Sequence, residues 1–437
     1  MRDRASSTEL SSRLAVLAVD LSEARCHGVV AALSGEVLMQ DAHEIAAAAD
    51  PSVVLVDCVE RLRANAIEDQ IPLRAVVVGV SPEAYSDPHR IAGLHDVLAE
   101  HVSELLLVES DVNLRALGQA AGESPTAISP PETRALVDGA IVAAIELVSS
   151  DPELPGGEIR AKLPAVFEGT RALDLLRTVV RIPSVTGDEL FLAGAVAGEL
   201  NALGFDEVAL DEHGPGCGSV WGVIRGTEGG DGLLLFGHLD TGSAEGWAER
   251  WRGREQEEAC SAAVIAGELW GRGAADAKAG VAAALAAVQV LRRAGARPRG
   301  DIALAFAAGE DGAGPDALLA RLRNAGEPRP TFAVALAPTA LAVRPSHPAG
   351  GHLLDMPQAA RLRAAVRLVR PEGGDPHGEP LWSALPFVTD LGIPAASFGP
   401  GDPELSDTLD ERIDLHDYLD SVLALAIFIA EHCGADV

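Results

Sequence analysis

Positive charge is scarce in this sequence. Lysine and arginine together number 34 against 65 aspartate and glutamate residues, which leaves a formal net charge of −31. Lysine occurs only as Lys162 and Lys278, so arginine supplies all other fixed positive charge. A surface this negative repels phosphate backbones and anionic lipid headgroups. The composition therefore argues against nucleic acid as a partner and against binding to a membrane surface.

Cysteine and long apolar runs are also lacking. The five cysteines are widely spaced and form no C-x-x-C pair, so neither a disulfide framework nor a thiolate zinc site is indicated. The opening MRDRASSTELSS has no apolar stretch of the kind found in a signal peptide. No later segment has the length and hydropathy needed to cross a bilayer. We therefore expect a cytoplasmic protein.

Apolar residues are abundant and predict folded domains. They make up 48% of the 437 residues, which excludes disorder on the scale of a domain and favours two or three domains. The stretch GESPTAISPPE at 122–132 has the composition of a linker. We predict a first domain at 1–121, a linker and helix at 122–170, and a larger domain at 171–437.

The first domain alternates strand-like and helical segments. LAVLAV at 14–19 predicts a buried strand, and GVVAALSGEVL at 28–38 predicts two short strands joined at Ser34-Gly35. An acid followed by apolar residues at helical spacing predicts a helix at 111–120. Further apolar runs, with helical stretches between them, lie at 53–56, 73–80 and 105–108.

The larger domain contains four short, wholly apolar runs that predict interior strands of a largely parallel sheet. They are LLLF at 233–236, IALAFAA at 302–308, FAVALA at 332–337 and PAASF at 394–398. Open α/β sheets bind ligands beyond the carboxyl ends of their strands, so the residues after each run matter. GHLD follows the first run, GED the second and GPGDPELSD the fourth. The third is followed by PTAL, which offers no metal ligand.

His238 and Asp240 stand two residues apart after the first run, so their side chains share a face of an extended strand. This spacing suits an imidazole that ligates a metal while the carboxylate fixes its tautomer. A histidine in a polar turn, with the aspartate capping the loop, explains the same pattern.

Three further acids occupy positions of interest. Asp276 lies in LWGRGAADAKAG, a glycine-rich turn before a predicted helix at 279–293, where it either caps the helix or bridges two metal ions. Glu310 and Asp311 follow the second apolar run. One of them would ligate a metal while its neighbour takes the proton from metal-bound water.

Five ordered segments resemble one enzyme family. GHLDTGSAEGW, LWGRGAADAKAG and AAGEDGAG, with ALDLLRTVVRIPSVTGDE before them and GIPAASFGPG after, are similar to the zinc-dependent amidohydrolases and exopeptidases. This family includes acetylornithine deacetylase, succinyl-diaminopimelate desuccinylase, the aminoacylases and glutamate carboxypeptidase. The resemblance implies an α/β domain, with a mostly parallel sheet flanked by helices, that binds metal and cleaves an amide (C–N) bond in a small N-acyl amino acid or peptide.

The resemblance also implies residue roles. His238 would ligate one metal with Asp240 orienting its ring, Asp276 would bridge two metals, and Asp311 would ligate the second. Glu310 would be the general base for attack by metal-bound hydroxide. Zinc is the expected ion, with manganese, cobalt or magnesium as alternatives, and the number of ions stays open between one and two.

The sequence departs from the family in three places. Ala337 stands where the family has an acidic ligand, and Asp407 stands where it has a metal-binding histidine, so Asp407 is carried over as a ligand. About forty residues separate Pro338 from LWSALPF, whereas an inserted dimerisation lid needs roughly a hundred. We therefore expect the lid to be missing. A catalytically impaired relative that acts as a binding or regulatory protein is the alternative.

The first domain resembles a second family. AVLAVDLSEARCHGVVAALSGEVL, GLHDVLAEHV and LLLVESDVNLRALGQ are similar to the first lobe of the repressor/open-reading-frame/sugar-kinase (ROK) family, which has an actin-like fold. The resemblance matches Asp111 to that family's catalytic acid. The phosphate-binding glycines expected after Asp20 and the whole second lobe are missing. A smaller actin-like α/β domain with a structural or interaction role is therefore expected.

Overall fold

The computed structural model divides the chain into two compact units. The first comprises Met1–Leu154 with Ala349–Ala364, and the second comprises Pro155–Pro348 with Ala365–Val437. The residues that the structure describes are 15–22, 25–32, 37–46, 50–69, 71, 73–81, 87–99, 101–102, 105–110, 114, 143, 157–227, 229–309, 312–323, 330–346, 357–370, 388 and 391–435.

The first unit is built on a mixed sheet. Its described elements are β1 (Ala15–Leu21), β2 (Arg25–Ala32), β3 (Val37–Glu44), α1 (Pro51–Glu68), β4 (Leu73–Val80), α2 (Pro88–Ala99) and β5 (Leu105–Ser110). Among these residues five strands are hydrogen-bonded in the order β3-β2-β1-β4-β5. Strand β1 runs antiparallel to β2 and parallel to β4, and β1 is buried along its whole length. The two strands expected within 28–38 are present as β2 and β3.

The apolar run at 53–56 lies inside helix α1. The Asp50 side chain accepts a hydrogen bond from Ser52 N at 2.9 Å, and Pro51 occupies the first turn, so a strong start signal precedes the run. The buried residues recur at helical spacing and pack the helix against the sheet; they are Leu55, Cys58, Val59, Leu62 and Ala66. Helical periodicity over eighteen residues thus outweighs a short β-branched run.

The second unit contains the remaining elements; helix α9 is divided between the two units. In chain order they are α3 (Gly157–Val166), α4 (Gly169–Arg181), α5 (Leu190–Ala202), β6 (Glu207–Gly214), β7 (Cys217–Ile224), β8 (Leu233–His238), α6 (Trp247–Arg250), β9 (Ala263–Ile265), β10 (Glu268–Trp270), α7 (Lys278–Ala294), β11 (Ile302–Ala307), α8 (Ala313–Arg323), β12 (Phe332–Ala335), β13 (Arg344–Ser346), α9 (Pro357–Val369), β14 (Ala395–Ser397), β15 (Arg412–Asp414) and α10 (Leu415–His432).

The main sheet of the second unit is the predicted α/β sheet. Its order among the described strands is β13-β14-β12-β8-β11-β7-β6. The four predicted apolar runs form β8, β11, β12 and β14, which lie side by side and run parallel. Strands β6, β7 and β13 add antiparallel edges. The expectation of an α/β fold with a mostly parallel centre is confirmed, and β8 is buried throughout because it lies inside the sheet.

Helix α7 packs on this sheet through small residues. It contacts α4, α10 and β8, and eight of its seventeen residues are alanine or glycine. A Cβ atom added at Gly280 would lie 3.0 Å from Leu336 Cβ, so the helix approaches the sheet closely there. Since α7 begins at Lys278, two residues after Asp276, this packing fixes the position of the Asp276 backbone at the start of the helix.

Several predictions fall on residues outside the described part of the chain. They are the linker at 122–132, the helix expected at 111–120 apart from position 114, and positions 133–156 of the predicted linker and helix apart from position 143. The predicted division into three segments, at 121/122 and 170/171, stays a prediction. In the described ranges, no helix combines the length and hydropathy needed to span a bilayer.

Candidate functional site

His238 is the last residue of β8. It pairs in register with Ala307, the last residue of the parallel strand β11, so the two strands end side by side. The loop after His238 contacts the segment that precedes α5, where Thr241 N donates to Ser184 O at 2.8 Å and Thr241 bridges Val185. The site therefore lies where ligands bind in open α/β sheets, beyond the carboxyl ends of parallel strands.

The His238 ring lies between two carboxylates. Its Nδ1 is 2.9 Å from Asp240 Oδ1, and its Nε2 is 3.1 Å from Asp276 Oδ1. The side chains of all three residues are at most 10% exposed. Carboxylate oxygens only accept hydrogen bonds when ionised, so both ring N–H groups donate in the metal-free protein and the ring is an imidazolium.

The surroundings shift the pKa of two of these groups. Burial lowers the pKa of His238, but its hydrogen bonds to Asp240 and Asp276 and their charges outweigh burial and raise it from 6.5 to about 10. Burial raises the pKa of Asp240, whereas the hydrogen bond and charge of His238 and the hydroxyl of Thr186 together bring it below its usual value. A charged ring between two carboxylates results.

Asp240 has a second partner that the sequence did not single out. Thr186 Oγ1 donates to Asp240 Oδ2 at 2.9 Å, so both carboxylate oxygens of Asp240 are engaged. Thr186 belongs to the segment SVTGDE, which was quoted for its resemblance only. A hydroxyl residue in that segment was the available signal, but its partner lies 54 positions away.

Asp276 lies in a turn whose backbone is hydrogen-bonded to the Glu411 carboxylate. Glu411 is fully buried and accepts hydrogen bonds from the backbone of Gly273, Ala275 and Asp276. Burial raises its pKa to about 7, against the opposing effect of these donors and of the Arg272 charge. No sequence pattern pointed to Glu411, because its partners are backbone groups more than 130 positions away.

Lys278 fills the space behind the same turn. Its side chain is 1% exposed, Nζ donates to Ile182 O at 2.6 Å, and burial lowers its pKa to about 8. A Cβ atom at Gly273 would lie 2.9 Å from Lys278 Cδ, so a glycine is required where the turn contacts the aliphatic part of the lysine side chain. Gly273 also has φ of 81°, which a larger residue rarely adopts.

Asp407 contacts two other parts of the site region. Its Oδ1 accepts from Gly242 N at 3.1 Å and lies 3.6 Å from Arg272 Nη1, while the side chain is 68% exposed. Within the described ranges no group of three or more histidine, cysteine, aspartate or glutamate side chains is placed to hold a metal, so Asp407 does not join His238 and Asp276 in such a group. Its predicted role as a ligand stays a prediction.

The remaining predicted site residues follow β11. Glu310 and Asp311 lie outside the described residues, which resume at Gly312 and had ended at Gly309. Their predicted roles are therefore untested by the geometry. The position of the acid that the family has after β12 is occupied by Ala337, which is 3% exposed.

The described residues fit part of a metal site. With Nδ1 bound to Asp240, the other ring nitrogen faces an oxygen of Asp276, and an imidazole with a carboxylate is a donor set that divalent zinc accepts. Two donors at zinc bond lengths and a tetrahedral angle lie roughly 3.3 Å apart. The separation of 3.1 Å between His238 Nε2 and Asp276 Oδ1 is close to that value.

Comparisons with known proteins find similar sequences for the part of the chain that carries these residues. Residues 234–431 match the model of the peptidase family M20/M25/M40. A succinyl-diaminopimelate desuccinylase of Rhodospirillum centenum is 32% identical over 257 residues, which are 52% of this chain and 64% of that protein. Another, from Leptothrix cholodnii, is 35% identical over 147 residues, 33% of this chain and 37% of that protein. The chain thus spans less than two thirds of the length of either relative.

Solved structures give weaker likenesses. Human carnosine dipeptidase 1 superposes with a TM-score of 0.48 at 11% identity, covering 65% of this chain and 100% of that one. At that level the likeness carries no argument about activity. The family match spans β8 with His238, the turn with Asp276, and Glu411. Residues 234–431 thus match the peptidase family M20/M25/M40, and the chain is similar to the succinyl-diaminopimelate desuccinylases.

Proposed function

We propose that the chain is a metal-dependent hydrolase of the amide bond in a small N-acyl amino acid or peptide. The observation that carries the proposal is the buried contact between His238 Nε2 and Asp276 Oδ1, 3.1 Å apart, at the carboxyl edge of the sheet. The pair lies inside the segment that matches the peptidase family. Since the relatives are named desuccinylases, N-succinyl amino acids come first among candidate substrates.

His238 and Asp276 would hold the cation, and Asp240 would keep the ring turned so that Nε2 faces it. Thr186 fixes Asp240 in turn by donating to its second oxygen. When bound, a divalent cation polarises the amide carbonyl and lowers the pKa of water. Zinc is the first choice because the donors are an imidazole and a carboxylate; manganese, cobalt and magnesium remain alternatives, and so do one ion and two.

Glu310 is the proposed proton acceptor. It comes three residues after Ala307, the register partner of His238, so it follows the strand end beside the candidate ligands. Glu310 would take a proton from the attacking water and deliver it to the departing nitrogen, so that one amide and one water yield a carboxylate and an amine. Asp311 and Asp407 are kept as proposed additional ligands.

A second candidate function is a binding or regulatory protein with little or no turnover. It is favoured by Ala337 at a ligand position and by the engagement of Asp407 with Gly242 and Arg272. The relatives give it no support, because those found carry the names of enzymes. We therefore rank it second.

Composition supports three further proposals. The net charge of −31 favours a small-molecule or peptide substrate over nucleic acid or a membrane surface as the partner. The scarcity of cysteine favours a cytoplasmic location. The segment 1–121 is proposed as an interaction or structural module; the oligomeric state is left open.

The experiment combines metal analysis with a substrate screen. Purified protein is assayed for bound zinc, manganese, cobalt and magnesium, and then tested against N-succinyl and N-acetyl amino acids and dipeptides. We expect stoichiometric divalent metal and hydrolysis that His238→Ala abolishes. His416→Ala is the matched control, because the His416 side chain is 84% exposed at the start of α10. Hydrolysis that survives His238→Ala, or wild-type protein that takes up no divalent metal, contradicts the proposal.

A further inference from the structure

The turn that carries Asp276 has two backbone hydrogen bonds of its own, from Ala274 N to Gly271 O and from Lys278 N to Gly273 O, and one buried carboxylate binds three more of its N–H groups. Glu411 Oε2 accepts from Gly273 N at 3.0 Å, and Glu411 Oε1 accepts from Ala275 N at 3.1 Å and from Asp276 N at 3.2 Å. Arg272 Nη1 donates to Glu411 Oε2 at 3.1 Å. Both oxygens of one side chain thus bind four donors from five consecutive residues.

This carboxylate is placed where no water competes for it. Glu411 is 0% exposed, and so the N–H groups that it accepts from would lose their partner if it were removed. Unpaired buried N–H groups destabilise a local conformation strongly, and the backbone around them rearranges to satisfy them. The backbone position of Asp276 therefore depends on Glu411.

Arg272 ties the same carboxylate to the rest of the site region. Its side chain is 3% exposed, and its guanidinium lies 5.5 Å from the centre of the Trp247 ring. It pairs with Glu411 at 3.1 Å and approaches Asp407 at 3.6 Å. Because Asp407 also accepts from Gly242 N, the guanidinium links the Asp276 turn with the loop that follows His238.

We infer that Glu411 and Arg272 are positioning residues that hold the Asp276 carboxylate 3.1 Å from His238 Nε2 and thereby set the metal affinity of the site. The inference rests on the proposed function. Neither residue needs to touch the metal or the substrate, since Glu411 acts through the backbone of the turn and Arg272 acts through Glu411. Changes at these two positions should weaken metal binding before they unfold the protein.

The test measures zinc affinity of the metal-stripped full-length protein by competition with a chromophoric chelator. Glu411→Gln keeps the shape of the side chain but turns an amide N–H group toward the backbone N–H donors and removes the charge that faces Arg272. We expect zinc affinity to fall about 10- to 100-fold, the effect usual for outer residues that orient metal ligands. Arg272→Lys keeps the positive charge but loses the planar guanidinium and its paired N–H donors. We expect its zinc affinity to lie between those of wild type and Glu411→Gln.

Tyr418→Phe is the matched control for loss of stability alone. The Tyr418 hydroxyl is buried and donates to Ala172 O at 2.8 Å, away from the turn. Thermal unfolding of the metal-free variants shows whether the control and Glu411→Gln are similarly destabilised. We expect Tyr418→Phe to retain wild-type zinc affinity at a comparable loss of unfolding temperature.

The possible outcomes distinguish failure of the positioning role from failure of the proposed metal-dependent function. Wild-type protein that binds zinc, together with Glu411→Gln that binds it equally well, overturns the positioning role and leaves the proposed function intact. Wild-type protein that does not bind zinc overturns both. If Glu411→Gln fails to fold, Arg272→Lys decides: weakened zinc affinity with a wild-type unfolding temperature supports the role, and unchanged affinity overturns it.

Discussion

His238 Nε2 lies 3.1 Å from Asp276 Oδ1, although the two residues are 38 positions apart and belong to different elements. The imidazole ends a buried central strand, and the carboxylate enters from the turn before helix α7. Neither group can move far, because Asp240 holds the other ring nitrogen and Glu411 holds the turn. The account of function depends on this contact.

Asp240→Asn tests the orientation of the ring. The variant amide presents either an N–H or an oxygen to Nδ1 and carries no charge, so it fixes the ring less firmly than the carboxylate does. We expect zinc affinity to fall about 10- to 100-fold with little change in secondary structure. The measurement is chelator competition followed by circular dichroism. Asp410→Asn, at a side chain 38% exposed and paired with Arg250, is the control that should leave affinity unchanged. Equal affinities in wild type and Asp240→Asn would count against the orienting role.

The metal-free protein should lose stability as pH rises through the range where His238 titrates. Its folded-state pKa of about 10 lies above the unfolded value of 6.5, so its contribution is present in full below about pH 6.5 and disappears as pH approaches 10. We expect the difference in unfolding temperature between wild type and His238→Gln to shrink steadily over this range. Groups that do not contact His238 titrate equally in both proteins and cancel in the difference. A difference that does not depend on pH contradicts the imidazolium.

Much of the fold was readable from the sequence because several short, wholly apolar runs bounded by glycine and proline are typical of interior strands in an α/β chain. The runs after Asp231 became β8, β11, β12 and β14 in that way. Acidic residues next to glycines follow the strand ends, and they indicated correctly that the site lies at the carboxyl edge of the sheet. The sequence therefore predicts His238, Asp240 and Asp276 as site residues, and the structure brings these three together.

The residues that hold the site residues in place could not be predicted from the sequence in the same way. Glu411 binds backbone N–H groups, which every residue type possesses, so no pairing pattern in the sequence marks its partners. The run at 53–56 was ambiguous for another reason: four β-branched or aliphatic residues suit either a strand or a buried helix face. There the cap at Asp50 and the spacing of later residues decide.

Ala337→Asp should strengthen metal binding. Leu336 N donates to Phe236 O at 2.8 Å, so the chain after β12 continues alongside β8 toward His238 and Ala337 is the next residue. A carboxylate there would supply the donor that the alanine lacks. We expect zinc affinity to rise about tenfold or more, while the metal-free variant unfolds at a lower temperature because a buried charge is unpaired.

Ala337→Asn is the control for that substitution, since it has the same size and no charge. Both variants share any steric effect at a position that is 3% exposed. Zinc should restore the unfolding temperature of Ala337→Asp and leave that of Ala337→Asn where it was. Identical responses of the two variants would show that no cation is held nearby.

Removal of metal should reduce stability reversibly. A ligand that binds only the folded protein stabilises it by RT ln(1 + [L]/Kd), about 2.7 kcal/mol at a hundredfold excess over Kd. We expect dialysis against a chelator to lower the unfolding temperature and to abolish hydrolysis, and added zinc to restore both. The same treatment of His238→Ala should change neither quantity. An unfolding temperature insensitive to chelation and to added zinc would contradict the metal site.

The most direct test of the central claim is the location of the ion itself. Crystals of the zinc-loaded protein, measured on both sides of the zinc absorption edge, give an anomalous difference map that shows zinc independently of any assumption about ligands. The account predicts a peak at about 2.1 Å from both His238 Nε2 and Asp276 Oδ1. A map with no peak between those two atoms, from protein shown to contain zinc, would contradict it.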